Sequence, residues 1–365
     1  MSLVSLKSKR WTRVRNQVAP AFSTGKVKLM IPIFNECSKI CTKILDEYER
    51  HGTAVPIKDV ITRLTLDMTS KCAFGYNFHV QNNSSSPFFH YAKKFSEFDL
   101  RSPEVALVIL FPNICSTFQR LTGMSLINNA ANKFFSDVLE TMFKDRKTIN
   151  GVVSYILDHC SFVSFKKFLR FFQERNDFFQ ILLDILVRDG DRIEESHLQS
   201  GKKGLTKGEI MGQAFMFVLA GFETTPAVLH LVLYMLAAND DIQRRCRDEI
   251  QRICGDEEQI TYEMLNEMSY VEQCITETLR MYPPVVRWAM RNRHNRDPLT
   301  YVPFGYGPRN CIGMRVAQMQ MKTALAHILR RYEMQPQKIL ELPLEIDSVG
   351  SMRTVEQLNI ILTRI

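Results

Sequence analysis

The sequence lacks any hydrophobic run long enough to cross a membrane. A spanning helix needs roughly 18 or more apolar residues, and no stretch of this chain approaches that length. The N-terminus, MSLVSLKSKRW, is too polar for a signal peptide or an anchor. The longest apolar run of the turn-rich region, VALVILF at 105–111, is too short to span, and it predicts either a buried segment or a peripheral membrane contact. We therefore expect no anchor within this chain.

Paired cysteines and nucleic-acid motifs are also missing. The chain has no CxxC pair, no metal-finger spacing, no RNP motif and no basic zipper, so the net charge of +8 does not indicate nucleic-acid binding. The charge suits an acidic partner or a membrane surface instead. The odd number of scattered cysteines is typical of reduced thiols in a protein that faces the cytosol. They are residues 37, 41, 72, 115, 160, 246, 254, 274 and 311.

Helical periodicity dominates what is present. Apolar residues recur at three- and four-residue spacing along most of the chain, and strand signals are confined to 342–347 and 358–365. The sequence predicts a mainly α fold with a small β element. We treat 1–365 as one domain, because 365 residues with 45% hydrophobic content can bury a large core. Within it, 188–204 is polar and predicts a loop, and the aromatic-rich segment 149–172 is interpreted as an insert.

The longest predicted helix covers residues 205–239. It opens with a capping box, Thr206 with Glu209, and has no polar face, so it is expected to pass through the interior of the domain. The next two helices are predicted to begin at the Asn239/Asp240 pair and at a second capping box, Ser269 with Glu272.

One short stretch concentrates glycine, proline, arginine and cysteine. In PFGYGPRNCIG, 303–313, Cys311 precedes an apolar helical repeat, so its sulfur is placed at a helix N-terminus that stabilises a thiolate. Gly307 and Gly313 permit turns and close approach, and Arg309 adds a fixed positive charge. Such a cysteine can be a redox thiol, a nucleophile or a soft metal ligand. No His–Asp partnership lies nearby in the sequence, which weakens the nucleophile hypothesis.

The same stretch fits a known pattern, F-x-x-G-x-R-x-C-x-G, with Phe304, Gly307, Arg309, Cys311 and Gly313 at the fixed positions. It resembles the haem-thiolate loop of cytochromes P-450. The residues that flank it are most similar to those of the microsomal group that oxidises drugs and steroids, to which thromboxane synthase belongs. The resemblance implies the cytochrome P-450 fold and haem b, with the Cys311 thiolate as ligand of the iron.

AGFETT at 220–225, within the long helix, resembles the oxygen-activation motif of that family. The resemblance implies that Glu223 and Thr224 deliver protons during oxygen activation, and that Ala220 and Gly221 leave room for O₂ and substrate. Pro226 removes a helical N–H and favours a distorted groove there. The alternative is that Thr224 only bonds to a carbonyl one turn earlier in its own helix.

Two further pairs complete the resemblance. Glu277 and Arg280 in ETLR match the E-x-x-R ion pair of the family. Trp11 and Arg15 in WTRVR match the helix that contacts a haem propionate, and Arg309 is expected to reach the same carboxylates, because a guanidinium presents a fork of donors.

The resemblance implies a monooxygenase that inserts one oxygen atom from O₂ into an apolar substrate, with Phe215, Phe217 and Phe222 lining or flanking the helix. Electrons come from an NADPH-dependent flavoprotein reductase, whose acidic face suits the basic stretch KSKRWTRVR; a solvated basic arm is the alternative for that stretch. The implied location is the cytosolic face of the endoplasmic reticulum membrane, or the cytoplasm for a chain without an anchor. Two other functions stay open: a reductase-independent isomerase of peroxides, and a truncated, inactive haem-binding or interaction protein.

The chain departs from the family pattern before the cysteine loop. The anchor and the first strands have no counterpart, and only 30 residues separate Arg280 from Cys311. This shortened connection lacks the arginine that locks the E-x-x-R pair, although four arginines are candidates to replace it, at positions 287, 291, 293 and 296. A buried pair that has lost a partner is destabilised by roughly 3–5 kcal/mol.

Overall fold

Helices make up most of the computed structural model, which describes residues 3, 6, 8–83, 85–96, 129–159, 177–185, 204–284, 301–347, 353–354 and 357–365. The helices are α1 (Ser8–Val18), α2 (Thr24–Arg50), α3 (Ile57–Phe74), α4 (Pro87–Ser96), α5 (Asn129–His159), α6 (Phe178–Asp184), α7 (Lys207–Ala237), α8 (Asp240–Cys254), α9 (Tyr262–Glu267), α10 (Ser269–Met281) and α11 (Met314–Leu329). A single 3₁₀ turn, Ala19–Phe22, joins α1 to α2 in the described chain.

The β structure is small, as predicted. Strands β1 (Val55–Pro56), β2 (Tyr332–Pro336) and β5 (Asn359–Arg364) form an antiparallel sheet in the order β1-β5-β2, and β3 (Ile346–Asp347) pairs with β4 (Arg353–Thr354). The register places Tyr332 opposite Arg364. The strand predicted at 358–365 is confirmed, whereas only the end of 342–347 is extended. The mainly α fold class is confirmed, and the assignment of 1–365 to one domain stays a prediction.

The predicted insert begins as a continuation of a helix. Helix α5 runs without interruption to His159, so residues 149–159 extend the turns that precede them. The remainder of the insert, 160–172, lies outside the described residues. The predicted loop 188–204 and the apolar run 105–111 also lie outside them, except for Gly204.

Helix α7 is the central helix of the core. Its capping box forms as predicted: the Glu209 N–H donates to Thr206 Oγ1 at 3.2 Å, and the Thr206 N–H donates to Glu209 Oε2 at 3.1 Å. Among the described helices it alone is long and apolar enough to cross a bilayer, but 61% of its most apolar window is buried inside the protein. Its apolar composition therefore accords with a helix that lies mostly in the core of the protein.

The next two helices begin where predicted, at Asp240 and Ser269, but the predicted side-chain caps do not form. The Asn239 side chain donates to Met235 O at 2.8 Å and makes no cap bond to α8. Helix α10 begins at Ser269, and its first N–H groups are capped from another helix: Glu249 accepts from the Tyr270 N–H at 2.8 Å and from the Val271 N–H at 2.9 Å. Local sequence cannot reveal a cap supplied by a distant carboxylate.

A buried carboxylate joins α1 to the beginning of α7. Glu209, whose side chain is fully buried, accepts hydrogen bonds from both Arg10 and Arg13. Arg13 also donates to Gly204 O. Burial alone would raise the pKa of Glu209, but the bonds from Arg13, the Thr206 N–H and Arg10 outweigh it and lower the pKa below the ordinary glutamate value. The ion cluster therefore fixes the position of α1.

Helix α7 approaches α3 closely at Gly221. A Cβ added there would lie 2.7 Å from both Cγ2 and Oγ1 of Thr69, which is closer than atoms can pack. Thr69 is itself held, since its Oγ1 accepts from Gln320 of α11 at 3.3 Å. The expectation that Gly221 leaves room for substrate is thus corrected: the missing side chain makes room for α3.

Replacing Glu209 by Gln is expected to destabilise the protein by about 3–5 kcal/mol at neutral pH, because Arg13 then loses its buried counter-charge. Since the folded pKa of Glu209 is lowered, its stabilising effect is present above the unfolded pKa and disappears as the pH falls through the folded one. Urea unfolding at pH 7 and at pH 3 measures both. The control is Glu140→Gln, which removes a half-exposed pair with Lys207 and should change little. Equal effects of both substitutions at pH 7 would contradict the prediction.

Substituting Gly221 by Ala is expected to lower the free energy of unfolding by about 1–3 kcal/mol in the haem-free protein, because the new methyl group overlaps Thr69. Gly208, in the first turn of the same helix, has no atom within 4 Å of a Cβ and serves as the control. Gly208→Ala should be neutral or stabilising by up to about 1 kcal/mol. Urea midpoints compare the two, and an unchanged midpoint for Gly221→Ala would show that this packing argument is incorrect.

Candidate cofactor site

The cysteine loop is shaped by two glycines with left-handed backbone. Gly305 has φ 77° and Gly307 has φ 76°, a region that side chains other than glycine rarely adopt. The chain turns back on itself through hydrogen bonds from Gly305 N to Val302 O, from Asn310 N to Gly307 O and from Cys311 N to Phe304 O, at 2.8, 3.0 and 2.7 Å. The predicted need for glycine at 307 is confirmed, and Gly305 is an addition that the motif did not include.

Gly313 differs from these two. Its φ is −92°, and a Cβ there would have only an ordinary contact, 3.9 Å from Phe22 Cε1. The protein itself therefore does not require glycine at this position. Gly313 is therefore expected to matter only for a close approach of the cofactor to the backbone.

Cys311 is the one exposed thiol among the seven described cysteines. It lies three residues before the first residue of α11, as predicted. Desolvation by the surrounding protein raises the pKa of its thiol, while a hydrogen bond from the Gly313 backbone and the charge of Arg15 act in the opposite direction. The net shift is upward. Burial thus opposes the expected ionisation of this sulfur, and the thiolate stays a prediction.

Helix α1 brings two predicted residues to this loop. The guanidinium carbon of Arg309 lies 4.5 Å from the centre of the Trp11 ring, and Arg309 donates to Leu6 O at 2.9 Å. Arg15 donates to Asn310 Oδ1 at 2.9 Å, across 295 residues of sequence. Burial lowers the pKa of Arg15, and the nearby Cys311 opposes that shift. Trp11, Arg15 and Arg309 therefore meet beside Cys311, and Asn310 is a fourth member that sequence reasoning missed.

Ala220 lies on an exposed part of α7. It is exposed, whereas Phe222 and Thr225, two and five residues later, are buried. Phe217, less than one turn earlier, lies 5.5 Å from the ring of Phe22, which is the side chain nearest to Gly313. Phe22 therefore lies between Phe217 of α7 and the end of the cysteine loop at Gly313.

The predicted acid–alcohol pair, Glu223 and Thr224, lies within α7, and the threonine bonds to the backbone of its own helix. The Thr224 hydroxyl donates to Ala220 O at 2.7 Å, so the alternative of a bond within the helix is realised. Glu223 is partly buried beside it. Helix α7 continues through Pro226 to Ala237, so Pro226 does not end the helix.

Three phenylalanine rings of α7 pack against rings from three other helices. Phe217 stacks on Phe178 with 4.5 Å between ring centres, and Phe215 meets Phe135 at 5.6 Å. Phe222 is buried against Phe89 at 6.4 Å. Of the three phenylalanines predicted to line the site, Phe222 therefore belongs to the core, and Phe215 and Phe217 are partly buried.

The Glu277–Arg280 ion pair forms as predicted. Arg280 Nε donates to Glu277 Oε2 at 2.6 Å, a second bond joins Nη2 to Oε1, and these bonds raise the pKa of Arg280. The Glu277 side chain is 56% exposed, so the cost expected for a buried pair without its third partner does not apply. The four arginines proposed as that partner lie outside the described residues.

The side chains around Cys311 fit an anionic cofactor that carries its own metal. Arg15 and Arg309 supply guanidinium groups for carboxylates, and Trp11 supplies an aromatic face. In the described ranges no group of three or more His, Cys, Asp or Glu side chains is arranged to hold a metal ion. An iron ligated by Cys311 would therefore take its other ligands from a macrocycle such as haem.

Comparison with known proteins gives the same result. The sequence profile of the family described as "Cytochrome P450" matches residues 2–291 and 286–360. The break between the two matched segments falls in the shortened connection before the cysteine loop. Among curated proteins, the chain is 29% identical to Cytochrome P450 3A9 of Rattus norvegicus over 95% of this chain and 72% of that protein.

Two further relatives are Cytochrome P450 3A14 of Cavia porcellus, which is 28% identical over 94% of this chain and 71% of that protein, and Cytochrome P450 3A5 of Homo sapiens, which is 28% identical over 96% and 73%. With four sequence motifs, a mainly α fold and a profile match along most of the chain, the chain belongs to the cytochrome P450 family of haem monooxygenases.

Proposed function

We propose that the Cys311 thiolate binds the iron of haem b and that the chain inserts one oxygen atom from O₂ into an apolar organic substrate. The supporting observation is the meeting of Trp11, Arg15 and Arg309 beside an exposed cysteine, because helix α1 and the loop are far apart in sequence. Haem held by a thiolate supplies the chemistry of O₂ reduction and O–O cleavage when bound.

Arg15 and Arg309 hold the two propionates in this proposal. A guanidinium suits a carboxylate because its donors lie in one plane and can bind both oxygens. Asn310 positions Arg15 through their hydrogen bond, and Trp11 positions Arg309 through the face of its ring. On the side opposite Cys311, the small side chain of Ala220 leaves space for O₂ and substrate that a larger side chain would fill.

Proton transfer falls to Glu223 and Thr224. The Thr224 hydroxyl uses its proton on Ala220 O, so its oxygen lone pairs stay available to accept a hydrogen bond from water. Glu223, the adjacent side chain, can pass a proton to that water. Phe215 and Phe217 give this side an aromatic boundary that excludes water and suits an apolar substrate.

The electron donor in this proposal is an NADPH-dependent flavoprotein reductase at the cytosolic face of the endoplasmic reticulum membrane. The basic stretch near the N-terminus is a weaker docking candidate than its sequence indicated, because Arg10 and Arg13 are occupied by Glu209. Lys9 and Arg315 remain exposed for an acidic partner. The membrane contact proposed for 105–111 lies outside the described residues.

Cys311→Ser is expected to abolish the thiolate-shifted Soret band of the reduced, CO-treated protein, because a hydroxyl does not replace the thiolate. Helix content by circular dichroism should be largely unchanged, since Cys311 is exposed. Cys254→Ser, at a buried cysteine on α8, is the control and should retain the band. A persistent shifted band in Cys311→Ser would mean that another residue is the ligand. A wild-type protein that binds no haem would refute the enzymatic proposal altogether.

Thr224→Ala is expected to lower product formation per NADPH consumed by roughly 10²-fold, because the hydroxyl that takes part in proton delivery is lost. The consumed O₂ should then be released as hydrogen peroxide. The control is Thr141→Ala on α5, which removes the same type of hydroxyl-to-carbonyl bond, Thr141 to Asp137 O at 2.9 Å, away from the site. Measurement of NADPH, O₂ and product in a reductase-reconstituted reaction separates the two variants. Hydroperoxide turnover that needs no reductase and is unaffected by Thr224→Ala would favour the isomerase instead.

A further inference from the structure

Two cysteines meet outside the cofactor site. Cys246 of α8 and Cys274 of α10 are 28 residues apart in sequence, and their sulfur atoms lie 3.5 Å apart. A disulfide needs ~2.05 Å, so the sulfurs must approach by about 1.5 Å. Both thiols are free in the structure. Local sequence does not reveal this pair, because the spacing matches no dithiol motif.

The two thiols have different surroundings. Cys246 is fully buried, whereas Cys274 is partly exposed. The two sulfur atoms share a hydrogen bond in which either S–H can be the donor. With Cys246 as the donor, this bond raises the pKa of Cys246 and lowers that of Cys274. The guanidinium of Arg245, stacked 4.3 Å from the centre of the Tyr270 ring, favours the Cys274 thiolate, and the nearby Glu249 disfavours it. Cys274 is thus the more accessible of the two and the one that a peroxide in solution reaches first.

No metal site competes for these sulfurs in the described chain. The nearby Glu249 is occupied by the Ser269 hydroxyl and by the N–H groups of Tyr270 and Val271, and the described residues contain no cluster of three ligating side chains. Two thiols in contact with no third ligand suit a two-electron oxidation better than binding of a soft metal ion.

We propose that Cys246 and Cys274 form a redox-active dithiol that a hydroperoxide converts reversibly into a disulfide between α8 and α10. The Cys274 thiolate attacks the peroxide, the O–O bond breaks, and Cys274 becomes a sulfenic acid as the leaving oxygen takes up a proton to form water or an alcohol. Cys246 then attacks the Cys274 sulfur and expels water. In total, two thiols lose two electrons and two protons, and one peroxide is reduced.

The disulfide would add a covalent link to an existing junction. Glu249 of α8 already caps the first turn of α10, and Cys274 lies about one turn further along. Helix α10 also lines a cavity of about 250 Å³ together with residues 301–305 of the loop before Cys311. Oxidation is therefore expected to stabilise α10 and to raise the melting temperature of the protein, because the cross-link restricts the unfolded chain.

The test uses the purified full-length chain. The reduced protein is treated with one equivalent of hydrogen peroxide, free thiols are then alkylated, and the protein is digested without reductant. Mass spectrometry should show a peptide pair joined through Cys246 and Cys274, which dithiothreitol separates, and the melting temperature should rise with the fraction of joined peptide. In Cys246→Ser, dimedone should trap the sulfenic acid on Cys274.

The matched control is Cys41→Ser, at a fully buried cysteine of α2 whose burial raises its pKa to about 12. This variant should give the same joined peptide as the wild type. The proposal is overturned if Cys246 and Cys274 remain alkylatable after peroxide has oxidised the exposed Cys311. It is also overturned if the joined peptide forms but the melting temperature does not change.

Discussion

The fully buried carboxylate of Glu209 is the interaction on which the cofactor site depends. It closes the capping box that starts α7, and it receives Arg10 and Arg13 of α1. Because α1 also carries Trp11 and Arg15, this one carboxylate sets the position of both side chains relative to the core. Without it, two arginines would lack a counter-charge, and α1 would lose its strongest polar attachment to α7.

A second junction relates the three helices around the site. Gly221 of α7 packs against Thr69 of α3, and Thr69 accepts a hydrogen bond from Gln320 of α11. Helix α11 follows the cysteine loop directly. Contacts with α3 therefore hold both the cysteine loop and the segment around Ala220 in position. Close packing of this kind transmits small changes, because a single added methyl group has no space to occupy.

The sequence predicted residue types and helices well, and it predicted long-range partners poorly. Periodicity placed α7 and α11, and the motif residues Trp11, Arg309 and Cys311 do converge, since each motif is read locally. Asn310, the Glu249 cap and the Cys246–Cys274 pair could not be found this way, because each depends on a partner from another helix. Gly221 was misassigned for the same reason: the atom that requires the glycine belongs to α3, and no local pattern contains it.

Helix α10 is held mainly by contacts other than its Glu277–Arg280 ion pair. In the described chain the Glu277–Arg280 pair is half-exposed, and such pairs contribute only about 0–1 kcal/mol. Two buried interactions elsewhere on α10 carry more weight. Glu249 caps its first turn, and the almost fully buried Lys322 of α11 donates to Glu272 at 2.8 Å and to Leu265 O at 2.9 Å. Removing the Lys322 charge would leave the Leu265 carbonyl without its donor and Glu272 without its cation, so this one side chain links α11 to both α9 and α10.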